Sequence, residues 1–232
     1  MSYYHPAERL RVLGLALGLL GCGTPFLAAA CPELDTHFQK IFENDSARVF
    51  TLQLDRLEST SSYCPQHPYF YVVTSDTRTL DTKTGYAGWS HDWHSGEARF
   101  VAEPKEHVIR NESATTHRAV VVEILPKLEF NPLSQNYETD DFTADLGSAK
   151  PTWSVSVVHG PMSALKTQLG PSDSMNLSGR TRVLIALTDL NLTWAGEDIH
   201  LSQQDVKVIS PSSDFAITNN GRFPARFITI AF

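Results

Sequence analysis

The densest group of potentially reactive side chains lies at His91–His94, where two histidines flank an aspartate and a tryptophan. Two imidazoles three residues apart, with Asp92 as ligand or orienting partner, could hold zinc or iron. The alternative is a surface turn between strands, since Ser and Gly residues surround the segment. The sequence leaves both interpretations open and favours the turn.

A second group surrounds His107, which follows closely on Glu103, Lys105 and Glu106. A carboxylate beside a neutral imidazole can do acid–base work inside a closed cavity. A charged triplet of this kind is more typical of a solvated loop. Residue types alone therefore do not define a reaction, and the elements that position these side chains must be found first.

The length and charge of the chain limit the number of domains and the kinds of binding partner. The chain has 232 residues, 41% of them apolar, and a formal net charge of −7. This length suits one large domain or two small ones. The acidic balance, with no basic stripe to meet phosphates, argues against nucleic acid as a partner.

The first thirty residues predict an export signal. Arg9 and Arg11 precede an apolar run at 12–20, and Ala28–Ala30 offer a small-residue cleavage site. The alternatives are an uncleaved N-terminal anchor and lipidation at Cys22, the last of four residues that resemble a bacterial lipobox. No later segment is apolar enough to span a membrane, so we expect a periplasmic or secreted protein.

Cleavage after Ala30 would leave two cysteines, Cys31 and Cys64. An even pair in an exported chain favours a disulfide between them. Such a bridge would tie the mature N-terminus to the body and stabilise it by roughly 3 kcal/mol. Two unpaired thiols are the alternative.

Short strand-like runs dominate the rest of the chain, and one or two helical turns are expected only within Glu33–Phe42. Most runs are rich in Val, Ile, Thr and Phe, and some are continuously apolar, as in strands buried on both faces. The fold class is therefore all-β. The predicted strands are Arg48–Leu54, Phe70–Thr74, Ala98–Val101, Ala119–Ile124, Met162–Leu169, Arg182–Leu187, Val206–Ile209 and Arg226–Phe232.

The series of strand-like runs and several residues around them occur twice along the chain. At a constant offset of 108 residues, Asn111 matches Asn219 and Arg118 matches Arg226, and further upstream the offset drifts slowly. Loop-length changes between two copies of one fold would give such a drift. The predicted division is a signal peptide at 1–30, a first domain at 31–126, a linker at 127–151 and a second domain at 152–232.

The order of these motifs resembles the cupin family. Gly96–Asn111 is similar to the second cupin motif, which carries a metal-binding histidine, here His107, and a structural asparagine four residues later. Phe42–Val49 resembles the first strand of bacterial two-cupin proteins, and Asn219–Phe227 the corresponding end of a second copy. The resemblance implies two tandem cupin-like jelly-roll barrels after the signal peptide.

The first cupin motif normally supplies His-x-His and then Glu, and three imidazoles with a carboxylate suit Fe, Mn, Zn or Ni. The matching stretch here, Tyr63–Pro68, contains only His67. The candidate metal ligands implied for the first barrel are therefore His67 and His107, with His94 or His91 as a third group.

The second copy matches the metal-binding pattern less well. Phe215 takes the place of His107, and the His-x-His places fall within 176–181. Asn176 and Ser178 in that stretch are not strong metal ligands. We therefore expect no metal in the second barrel.

Three classes of function remain. The first is an exported cupin-like protein with largely lost metal sites, acting as a small-molecule-binding or scaffold module with no cofactor or a weakly bound divalent transition metal. The second is a metal-dependent enzyme of oxygenase or isomerase type that uses the first barrel only. The third is an assembly partner that acts through an interface. The loss of ligand residues favours a protein without catalytic activity. Analogy with cupin relatives suggests a homodimer as the oligomeric state.

Overall fold

The computed structural model describes residues 35–83, 85–102, 105–126, 153–159, 162–210 and 213–232, and for 153–159 only the backbone. The predicted signal peptide at 1–30, with Cys22, lies outside these residues, and so do Cys31 and the predicted linker at 127–151. Every regular element in the described residues is a β-strand. No helix among these residues is long and apolar enough to cross a membrane.

The first eight strands build two antiparallel sheets, of five strands in the order β1-β2-β8-β3-β6 and of three in the order β5-β4-β7. Their bounds are β1 Phe38–Glu43, β2 Ala47–Leu54, β3 Tyr69–Val73, β4 Thr77–Lys83, β5 Trp89–Trp93, β6 Ala98–Val101, β7 His107–Asn111 and β8 His117–Ile124. We call this double sheet the first barrel.

The remaining strands repeat the arrangement, with a five-stranded sheet β9-β10-β17-β12-β15 and a four-stranded sheet β11-β16-β13-β14. Their bounds are β9 Trp153–His159, β10 Met162–Leu169, β11 Ser174–Leu177, β12 Arg182–Ala186, β13 Leu190–Trp194, β14 Glu197–Leu201, β15 Val206–Ile209, β16 Phe215–Asn219 and β17 Ala225–Ala231. This is the second barrel, and the all-β double jelly roll predicted from the sequence is confirmed.

The repeat extends to individual hydrogen bonds. The Nδ2 of Asn111 donates to the carbonyls of Leu54, Asp55 and Thr115, and its Oδ1 accepts from the N–H of Ser113. Asn219 makes the same four contacts, with Leu169, Gly170, Phe223 and Gly221. Each asparagine ties the end of a large-sheet strand to the turn that leads into the last strand of its barrel.

A second pair of equivalent residues, Asp76 and Asp189, stabilises the turns before β4 and β13. The carboxylate of Asp76 accepts the N–H of Ser95, and that of Asp189 accepts the N–H of Gln203, at 2.8 and 2.9 Å. These contacts confirm the internal repeat read from the sequence, including its drifting offset.

The two five-stranded sheets pack against each other. Their shared core is mainly apolar and includes Phe70, Val122, Ile185 and Ile230, all 1% exposed or less. Because the opposite faces of the same sheets line the two barrel interiors, β3 and β12 are buried on both sides. Burial on both faces explains the continuously apolar sequences of these strands.

All eight predicted strands are confirmed to within two residues at either end, whereas two local predictions are wrong. The segment within Glu33–Phe42 forms no helical turn in its described part, because Phe38–Glu43 pairs antiparallel with β2 across a bulge between Lys40 and Phe42. The segment at His91–His94 is not a turn between strands, since its first three residues belong to β5 and Trp93 points into the core.

Candidate functional site

The interiors of the two barrels differ in chemistry although their strands correspond. In the first barrel Tyr63 lies opposite His107, and in the second Leu177 lies opposite Phe215. A polar pair in one barrel is therefore an apolar pair in the other.

At three further interior positions a polar residue of the first barrel is likewise replaced by an apolar residue in the second. The equivalent positions follow from the strand registers of the two barrels. Tyr71 corresponds to Leu184, Asp81 to Trp194 and His117 to Ala225. The interior of the second barrel is a largely apolar core, in which Leu184, Trp194 and Phe227 are 1% exposed or less. The polar residues of the first barrel thus form the candidate site.

Five of these residues form what we call the lumen cluster. Tyr63, Tyr69 and Tyr71 are each at most 6% exposed, His107 is 3% exposed, and the Asp81 side chain is half-buried. Tyr69 and Tyr71 share the inner face of β3, since they alternate with Phe70, which packs between the barrels.

His107 has both ring nitrogens engaged. Its Nδ1 lies 2.7 Å from the carbonyl oxygen of Lys105 and its Nε2 lies 2.6 Å from the hydroxyl of Tyr63. A carbonyl can only accept, so in the neutral imidazole Nδ1 carries the proton and Nε2 accepts from Tyr63. The imidazole that the cupin resemblance assigns to a metal thus has one nitrogen bonded to a carbonyl and the other to a phenol.

Asp81 is the acidic member of the cluster, and its charge acts on all three tyrosines. It faces Ile109 of the inner core across the β4–β7 pair, on the same face as the buried Thr77 and Thr79. Its Oδ1 is buried and has no hydrogen-bond partner among the residues that the structure describes. Burial raises the pKa of this carboxyl group, and His107, Lys83 and Arg99 oppose the rise.

The three phenols respond to the same environment. Burial raises the pKa of Tyr63, Tyr69 and Tyr71 above that of free tyrosine, and the negative charge of Asp81 raises each of them further. The phenols therefore stay protonated, and Tyr69 can donate to an acceptor in the lumen, whereas the Tyr63 proton is already donated to Nε2 of His107. Together with the unpaired carboxylate oxygen they can recognise a ligand that carries hydrogen-bonding groups.

A second buried histidine lies in the first barrel. His117 is fully buried, with Nε2 2.7 Å from the hydroxyl of Tyr71 and Nδ1 2.7 Å from that of Thr77. Burial lowers its pKa to about 4. His117 is therefore neutral at physiological pH and serves as a hydrogen-bonded part of the core.

An aromatic and cationic rim borders the cluster on β5 and β6. The guanidinium of Arg99 lies over the Trp93 ring at 4.4 Å, and the indole N–H of Trp93 donates to Thr79. His91 lies edge-on to Trp93 and 3.5 Å from the carboxylate of Glu97. This rim contributes a flat aromatic surface and a positive charge.

The structure does not gather the histidines that the cupin resemblance implies as metal ligands. His107 lies inside the barrel, whereas the His94 side chain is 78% exposed beside Asp76. His67 is half-buried, and its pKa is lowered by burial and by Arg48. The described residues contain no group of three or more His, Cys, Asp or Glu side chains that could hold a metal ion.

The donor set therefore does not fit the transition-metal site that the resemblance implies. One imidazole, already bonded through both nitrogens, and one carboxylate fall short of the three imidazoles and carboxylate of that pattern.

The second-barrel positions predicted to lack ligands lie at its corresponding end. Asn176 is exposed on β11, Ser178 follows that strand, and Phe215 packs on Trp194 with ring centroids 5.1 Å apart. Of the predicted disulfide, Cys64 is half-buried and disulfide-bonded, and Cys31 lies outside the described residues. Their pairing stays a prediction.

Comparison with known proteins identifies the fold. No protein-family model and no curated protein sequence matches the chain. Its structure is similar to a cupin 2 conserved barrel domain protein from Leptotrichia buccalis, with a TM-score of 0.56 and 9% identity over 84% of this chain and 87% of that one. The chain thus has the fold of cupin proteins.

It is also similar to the salicylate 1,2-dioxygenase of Pseudaminobacter salicylatoxidans, with a TM-score of 0.61 and 9% identity over 85% of this chain and 77% of that one. The same dioxygenase in its adducts with gentisate gives a TM-score of 0.59 at 10% identity, over 82% of this chain and 70% of that one. The tandem cupin-fold architecture predicted from the sequence is confirmed.

Proposed function

We propose that this is an exported two-barrel protein that binds a small molecule in the lumen of its first barrel and uses the second barrel as a packed scaffold. The observation that carries the proposal is Asp81, whose buried Oδ1 lacks a hydrogen-bond partner in the described part of the chain, while Trp194 fills the same position in the second barrel. A buried carboxylate oxygen without a partner is costly, and a ligand that donates a hydrogen bond would remove that cost.

The surroundings of Asp81 suggest the chemistry of the ligand. Three protonated phenols and a carboxylate favour a molecule with a hydroxyl, amide or amino group. Small-molecule sites typically combine an aromatic wall with a few convergent polar groups, which Tyr71 and Trp93 would provide here. Export is supported by the pattern of the first thirty residues and by the disulfide-bonded state of Cys64.

Replacing Asp81 with asparagine tests the binding site. We expect native mass spectrometry of the purified mature protein to show a bound small molecule, and the D81N variant to lose roughly tenfold or more in affinity, because a charge-assisted hydrogen bond becomes a neutral one. The exposed Asp92 provides the control, since D92N changes the net charge equally without touching the lumen. Equal retention of the ligand in both variants would contradict the assignment.

The metalloenzyme alternative makes a different prediction. On our proposal, elemental analysis of the mature protein gives Fe, Mn, Ni and Zn far below one atom per chain, and His107→Ala does not change these values. The physical reason is that the His107 imidazole is already bonded to Tyr63 and to the Lys105 carbonyl. A stoichiometric metal that is lost in the His107→Ala variant would favour the enzyme.

A further inference from the structure

The second barrel contains a buried cation that its apolar interior does not explain. Arg182 is the first residue of β12 and alternates with Leu184 and Ala186, which both belong to the core of this barrel. Only 4% of Arg182 is exposed. It occupies the position that Tyr69 holds in the first barrel.

Few polar groups compensate the buried guanidinium of Arg182 for its loss of hydration. Its Nη2 donates to the Ser178 hydroxyl at 2.9 Å, and its buried Nε has no hydrogen-bond partner among the described residues. No ion pair joins it to a carboxylate in the described part of the chain. Arg180, its positively charged neighbour, disfavours the charge further. A buried guanidinium needs hydrogen-bonding anionic partners to balance its loss of hydration.

Two loops meet at this end of the barrel. The N–H of Gly179 donates to the carboxylate of Asp214 at 2.8 Å, and the hydroxyls of Thr181 and Ser210 lie 3.1 Å apart. A Cβ added at Gly179 would lie 2.6 Å from the carbonyl oxygen of Ser213, so the loops approach closely. These contacts hold Ser178 and Arg180 beside the buried guanidinium.

We propose that Arg182, with the Ser178 hydroxyl and the positive field of Arg180, forms an oxyanion site at this end of the second barrel. The ligand is a small anion or a ligand group with a carboxylate or a phosphoryl oxygen. A guanidinium presents parallel N–H groups that such oxygens accept in pairs, and the Ser178 hydroxyl can donate a further hydrogen bond. The site is separate from the lumen cluster and does not depend on the function proposed for the first barrel.

Thermal unfolding in matched buffers tests this site. At pH 7 and constant ionic strength, we expect the unfolding midpoint of the mature protein to rise saturably with acetate or inorganic phosphate compared with chloride, because an anion that binds only the folded state stabilises it. A rise with acetate alone assigns the site to carboxylates, and a rise with phosphate alone assigns it to phosphoryl groups. No anion-specific rise would overturn the proposal.

The variant Arg182→Met locates the effect. It removes the charge but retains a long chain, so in chloride it should be at least as stable as the wild type, and its anion-specific rise should vanish. Arg222, which is exposed, provides the matched control, and R222M should keep the full rise. An anion-specific rise that persists in R182M would overturn the proposal.

A milder variant covers the case in which R182M does not fold. Ser178→Ala retains the guanidinium and removes only the hydroxyl that positions it, and Ser178 is itself exposed. We expect the anion concentration needed for half of the midpoint rise to increase at least threefold. An unchanged concentration would count against the site as defined here.

Discussion

Alanine in place of Asn219 is expected to lower the free energy of unfolding by about 3 kcal/mol. Asn219 is 1% exposed, and its side chain donates to the carbonyls of Leu169, Gly170 and Phe223 and accepts from the N–H of Gly221. Removing the amide would leave these backbone groups without their partner inside the protein. The cost is therefore the penalty of several unpaired groups and exceeds the net value of one hydrogen bond.

Urea titration of the mature protein measures this effect, and a neighbouring residue provides the control. Asn220 is exposed and makes one side-chain hydrogen bond, to Thr193, so Asn220→Ala should cost less than about 1 kcal/mol. Asn111→Ala should repeat the larger loss in the first barrel, since it makes the matching set of contacts. A loss below 1 kcal/mol in both buried variants would show that water replaces the amide at little cost.

The strands that could be predicted from the sequence all lie in the large sheets, of which only β1 and β9 among the described strands were not predicted. All eight predicted strands belong to the two five-stranded sheets, which are covered by a barrel interior on one side and by the other barrel on the opposite side. Burial on both faces requires continuous apolar runs, such as Val120–Val122, which stand out in a sequence.

The small sheets could not be predicted in this way, for a physical reason. They are covered on one face only, so their strands mix buried and exposed residues, as β4 does from Thr77 to Lys83 and β14 from Glu197 to Leu201. With four to seven residues and many polar side chains, such strands resemble loops. The asparagine repeat gave the architecture nevertheless, because a buried asparagine that ties three segments together is required in both copies.

The candidate site was only partly predictable. His107 could be located, since the spacing to Asn111 marks it, but Tyr63, Tyr69, Tyr71 and Asp81 could not, because in the sequence they look like core aromatics and a polar edge. Only the register that brings Tyr63 opposite His107 reveals them as one cluster. An available signal was the carboxylate of Asp81 at the same alternating positions as Thr77 and Thr79.

Acid is expected to destabilise the first barrel through His117 at a pH well above that at which most carboxylates titrate. Burial lowers the pKa of His117 to about 4, whereas the unfolded chain has the ordinary value near 6.5. Between these values the unfolded state binds a proton that the folded state does not. The stabilising contribution is therefore complete above about pH 6.5 and is lost as the pH falls to about 4, with a total loss of about 3 kcal/mol.

Over part of this pH range other groups stabilise the folded state as the pH falls. A variant is therefore needed to isolate the contribution of His117. Burial raises the pKa of Asp81 and of Glu123, which therefore take up protons more readily in the folded state and favour folding as the pH falls. The variant His117→Gln retains hydrogen-bonding capacity towards Tyr71 and Thr77 but does not titrate. The difference in unfolding free energy between wild type and variant should then shrink or reverse by about 3 kcal/mol from pH 7 to pH 4.

The matched control lies in the second barrel, where Ala225 takes the place of His117 and the exposed His200 has no role in the core. The variant His200→Gln removes an exposed imidazole in the same way and controls for the loss of one histidine. A parallel pair of curves for wild type and His117→Gln would mean that His117 takes up a proton as readily in the folded state as in the unfolded state, and would contradict the prediction. The measured slope therefore reports directly whether the first barrel keeps a neutral imidazole in its core.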